Sequence, residues 1–132
     1  MVLDAKALLA NLVERERVHG HHSAEGQAIR TLGRALDGWS SKNLGAADVV
    51  GLCAQAVEDW LKRCLNRSPW SVQGLAELLS SAQVAAFLSA SEVGRLQRLA
   101  ALRAQLASGV PAPADVEDVI AAAIEVVGQH WS

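Results

Sequence analysis

Near the end of the chain, Val116, Val119, Ile120, Ala123, Ile124 and Val127 recur at i, i+3, i+4, i+7, i+8 and i+11. Their β-branched side chains favour strands, but a strand gathers alternate residues on one face, whereas this spacing closes a stripe at about 100° per residue. Period and length select a helix, and a helix with such a stripe must bury it against other helices. The same period returns in the other patterned segments. The expected fold class is therefore all-α, an up-and-down bundle of four main helices plus one or two short helices. Composition agrees: of 132 residues 51% are hydrophobic, 4% are aromatic and three are proline, which suits helix packed on helix. One domain over residues 1–132 is expected, with an N-terminal helix and His-rich loop in 1–22 and the bundle proper in 23–130.

In chain order, Asp4 is the expected cap of a first helix carrying Leu8, Leu9, Leu12 and Val13 to about Arg17. His19-Gly20-His21-His22-Ser23 either breaks that pattern, with Ser23 able to cap a second helix, or is crossed by one continuous helix; the second segment's seam is Ile29, Leu32, Leu36 and Trp39. Gly33 and Gly38 weaken that helix or let another approach closely. After a break at Ser40–Gly45, the strongest pattern runs from Ala46 to about Leu65, with Val49, Val50, Cys53, Val57, Trp60, Leu61 and Cys64 inward. Glu58, Asp59, Lys62 and Arg63 fall on its other faces, and the cations at its end suit the helix dipole. Ser71 caps a short helix over 72–81 with Leu75, Leu78 and Leu79 inward. Ala85 to Leu88 extend it or cross to the next helix. Ser89 or Ser91 then caps a long helix that Gly109 and Pro111 stop. The final helix starts after Pro113, with Asp115 as its cap.

Several functions are not encoded. A formal net charge of −2 and a pI near 6.0 give no general attraction to nucleic acid. No apolar run approaches the ~20 residues of a membrane span, and the first residues do not read as a secretory leader. Cys53 and Cys64 fit a reducing, cytoplasmic setting. In one intact helix they share a face but stand ~16 Å apart, too far for a disulfide. Both are expected in the core. Phosphate-loop, dinucleotide and H-E-x-x-H motifs are missing. His19, His21 and His22 are close enough to converge on an ion, but only Glu25 lies beside them as a further ligand. No metal and no other cofactor is expected.

One charge is out of place. On the helix over 92–109, Val93, Leu96, Leu99, Ala100, Leu102, Leu106 and Ala107 make a broad apolar stripe, and Arg103 falls within it, about 20° from Leu96. A guanidinium on a buried face needs a carboxylate, an anion, a second chain or a path to water. A structural ion pair with Glu58 or Asp59 is one expectation. A binding site is the other.

The order of elements resembles the HEPN family. AADVVGLCAQAVEDWLKRCL is similar to the family's second helix, SVQGLAELL to the short helix after it, and LAALRAQLASG occupies the place of its signature. That signature is an Arg, then four to six residues, then a His. The likeness covers Ala24 to His130, and only the signature region is specific. Many HEPN proteins are metal-independent ribonucleases that act as dimers, with paired Arg and His at the interface. The signature Arg matches Arg103, but the His position is Ser108, the residue after the Arg is Ala104, and Val110 stands where some toxin-type members carry a Tyr. A Ser hydroxyl does not titrate near neutral pH and cannot replace imidazole as acid and base. The resemblance therefore implies a catalytically silent homodimer in which Arg103 and Ser108 mark an anion-binding or partner-binding position. It also implies a nucleotidyltransferase-like protein partner in a toxin–antitoxin setting, RNA or nucleotide as a weaker ligand, and no membrane. The alternatives are an active ribonuclease recruiting His130 or the His19–His22 loop across a dimer, or a plain helical interaction module anchored by Trp39, Trp60, Trp70 and Trp131.

Overall fold

The computed structural model describes residues 7, 10, 14, 17, 24–65, 74–86, 88–109 and 116–129. Among them the regular structure is entirely helical, and four of the helices are long. α1 spans Ala24–Ser40, α2 Ala46–Cys64, α3 Leu75–Leu79, α4 Ala90–Ala107 and α5 Val116–Gln129, with a 3₁₀ turn at Val84–Ala86 between α3 and α4. This is the all-α bundle that the periodicity predicts. The expected caps Asp4, Ser23, Ser71 and Asp115, all four histidines, Trp70 and Trp131 lie outside the described residues.

α2 is the central element. It packs most extensively on α1 and also on α3, α4 and α5, while α4 packs on α5 and α3. One continuous apolar cluster results, with Leu32 and Leu36 from α1, Val50, Cys53 and Leu61 from α2, Leu75 from α3, Leu96 and Leu99 from α4, and Ile120 and Ala123 from α5 all fully buried. The stripe read from the last helix is buried at every position. On α1 the seam is also as expected, with Trp39 half-buried at its edge, where its indole N–H donates to Glu117 Oε1 of α5 at 3.2 Å.

Helix ends follow local chemistry. Ser89 caps α4: its hydroxyl accepts from Glu92 N at 3.1 Å, and Glu92 Oε1 accepts in return from Ser89 N at 2.9 Å, a reciprocal capping box. α4 ends at Ser108, and Gly109 takes φ +88°, a left-handed geometry open to glycine without penalty. α1 ends differently. Asn43 N donates to Gly38 O at 3.0 Å and Lys42 N to Trp39 O at 3.2 Å, with Lys42 itself at φ 62°. That is a Schellman closure built on a residue with a side chain. The close approach at Gly38 comes from Leu44 and not from another helix: a Cβ there would stand 2.3 Å from Leu44 Cδ1.

Four expectations need correction. The short helix is Leu75–Leu79 and not 72–81, and the chain then turns through the 3₁₀ segment, burying Val84 and Leu88. Ala107 is exposed, and Val93, Ala100 and Leu106 are only half-buried, so the inward stripe of α4 narrows to Leu96, Leu99 and Leu102. Cys64 is exposed although Cys53, about 20° away on the wheel, is buried. Lys62, expected outward, is buried at 8% exposure. The last two have one cause. Toward its C-terminal end the covered face of α2 rotates to the flank bearing Glu58, Leu61, Lys62 and Leu65, because α3 and α4 pack there, and Cys64 is left facing water.

Candidate functional site

Arg103 lies in the last third of α4, on the side turned to α2. Its Nη2 donates to Glu58 Oε1 at 2.5 Å, with the Arg side chain 36% and the Glu side chain 15% exposed. The same oxygen accepts a second bond, from Leu75 N at 3.0 Å. Leu75 is the first residue of α3, whose N-cap Gly74 has no side chain to offer the free amides of the first turn. Glu58 supplies the missing acceptor from another helix, and its negative charge sits at the positive end of α3. Arg103 is thus engaged in an ion pair that joins α2, α3 and α4. Of the two outcomes that the sequence leaves open, the structure places the carboxylate Glu58, and not Asp59, against the guanidinium.

Ser108, the other position singled out from the sequence, is the C-cap of α4. Its hydroxyl donates to Gln105 O at 2.8 Å, a contact within its own helix, and the residue is exposed. Nothing at this position can exchange a proton near neutral pH.

The acidic pair on α2 is divided by its surroundings. Glu58 is committed to two donors. Asp59 points outward beside it, and its carboxyl is held above the ordinary 3.8, chiefly by partial burial, with Lys62 pulling the other way and the neighbouring Glu58 charge adding to the rise. Cys53 is sealed in the core, where burial pushes its thiol up to about 12, so it is inert as a nucleophile.

A second polar locus lies on another face of α4. Arg95 Nη2 donates to Glu125 Oε2 of α5 at 2.8 Å, with the side chains 41% and 47% exposed. This bridge spans a shallow groove of about 540 Å³ floored by Gly94, Val119, Ala121 and Ala122, with Arg98 and Asp118 at its rim. No pattern in the sequence marks the groove, because its floor consists of small residues whose spacing is indistinguishable from ordinary helix packing. Among the described residues, no group of three or more His, Cys, Asp or Glu is arranged to hold a metal, and no helix is long and apolar enough to cross a membrane.

Comparison with models of known families, with curated proteins and with solved structures finds no match to this chain.

Proposed function

We propose that this chain is a catalytically silent, HEPN-like binding or scaffolding domain that works as a homodimer. The observation that carries the reading is Ser108. It stands five residues after Arg103, at the end of α4, where the resemblance calls for an imidazole, and its hydroxyl is spent on the Gln105 carbonyl of its own helix. A site retaining the arginine without an acid–base partner binds an anion or a protein surface and leaves an RNA 2′-hydroxyl untouched. The partner implied by the resemblance is a nucleotidyltransferase-like protein, with RNA as the weaker ligand. Incubating the purified protein with tRNA and mRNA tests silence. Intact RNA is the expected result, and cleavage that disappears in Arg103→Ala overturns it.

A second reading, a helical interaction module without HEPN kinship, is favoured by the ion pair itself. Glu58 already gives Arg103 a structural task at the junction of three helices, so the guanidinium needs no ligand to explain its place on an apolar seam. Light scattering separates the two readings. A dimer at micromolar concentration supports the first, and a strict monomer leaves the second.

A further inference from the structure

We infer that Glu58 is the latch of a strap: its carboxylate governs whether residues 74–86 lie closed on α2 and α4 or open together as one unit. Three observations lead there. First, α3 has five residues, far below the ~12–15 that sustain a helix by themselves, so it persists only through what it touches. Second, its contacts divide cleanly. Leu75, Leu78, Leu79 and Val84 are buried beneath it, whereas Gly74, Ala76, Glu77, Ser80 and Gln83 on its outer side are exposed. Third, the polar tie at its start converges on one atom, Glu58 Oε1, which accepts both from the Leu75 amide and from Arg103 on the far wall. Removing that oxygen releases the end of the strap and its link to α4 at once.

The strap's own hydrogen bonds do not compensate. They are local ones, such as Leu78 N to Gly74 O at 3.0 Å, Ser81 N to Leu78 O at 3.2 Å and Val84 N to Ser81 O at 3.1 Å, and all open together if the segment lifts. By contrast, α1, α2, α4 and α5 each run for 14 residues or more and hold their interior amides through several turns. Among the described elements the strap is therefore the low-stability unit. When it lifts, the flanks of α2 and α4 beneath it become an apolar cleft. This device does not depend on RNA, on dimerisation or on HEPN kinship.

Native-state hydrogen exchange on the full chain tests it, in the parent and in Glu58→Ala, with Arg95→Ala as a control that removes an ion pair elsewhere on α4. In the parent the amides of Leu78, Ser80, Ser81 and Val84 are expected to be less protected than those of Ile120 and Ala123, and in Glu58→Ala the strap amides should exchange a further ~10-fold faster or more while remaining the less protected set. Arg95→Ala should leave the strap amides within about twofold of the parent. Acceleration in α5 with none on the strap would overturn the latch, as would no acceleration at all, and strap amides as protected as Ile120 and Ala123 in the parent would mean that the strap does not open as a separate unit. Should Glu58→Ala fail to fold, Glu58→Gln keeps an acceptor without the charge. It should give a smaller acceleration of the same four amides, and α5 amides that accelerate while those four do not would again refute the proposal.

Discussion

Two arginines on α4, eight positions apart, make the same kind of bond to a glutamate on a neighbouring helix, yet they belong to different physical regimes. Arg103 and Arg95 are similarly exposed, at 36% and 41%. Their partners differ: Glu58 is 15% exposed and Glu125 is 47%. Glu58 also takes the Leu75 amide, whereas among the described residues Glu125 has only the Arg95 bond. The lesson is that the surroundings of the carboxylate, more than the distance or the arginine, set what an ion pair is worth. A half-hydrated glutamate loses little when its partner leaves, because water replaces the bond. A shielded one that also caps a helix cannot be re-solvated without moving that helix.

The sharpest way to break this comparison is to delete each glutamate. Glu58→Ala is expected to destabilise the protein by about 2 kcal/mol, from a lost charged hydrogen bond and a lost cap together. Glu125→Ala should cost less than about 0.5 kcal/mol. Urea unfolding of both variants reads this directly, and equal costs would erase the distinction. A finer measurement is a double-mutant cycle on each pair. The Glu58–Arg103 coupling should be ~1 kcal/mol and survive 1 M salt, where the screening length is only ~3 Å, while the Arg95–Glu125 coupling should vanish into the error.

The smallest expected effect concerns the residue next to Glu58. Because the Asp59 carboxyl is raised in the folded protein, its ionisation opposes folding. The native state binds more protons than the unfolded state between the two values, so this group's contribution falls as pH rises through that window. Asp59→Asn should therefore stabilise the protein at pH 7 by less than about 0.5 kcal/mol, and the gain should fade as pH falls through that window and be gone below 3.8, the ordinary value. A gain that grew on acidification would reverse the assignment. The size is limited because the side chain is largely in contact with water.

The parts legible in the sequence were those governed by period and local chemistry. The apolar positions of the last helix, the α1 seam, and the stop at Ser108-Gly109 each follow from residues within a turn or two of one another. Ser89 was legible as one of two capping candidates, and Glu92 three residues on decides between them. What escaped was set by neighbours distant in sequence. Cys64 and Lys62 exchanged roles because α3 and α4 cover one flank of α2, a fact that no wheel drawn for α2 alone contains. Arg103 shows the boundary within one residue. Its misplacement on the seam was visible, and Glu58 was among its named partners, but the Leu75 amide that makes Glu58 indispensable belongs to a third element.

The Glu58 junction also bears on the order in which the chain folds. Among the described elements the contacts of α1 with α2 are the most extensive and close across a short loop, so that helical hairpin is favoured to form early. The junction joins residues separated by 17 and 45 positions, and it is complete only once α3 and α4 have both docked on α2. We expect a contact made so late to be absent from the rate-limiting barrier. Substitution at Glu58 should then accelerate unfolding while leaving refolding nearly unchanged, so that one limb of the chevron moves and the other stays in place.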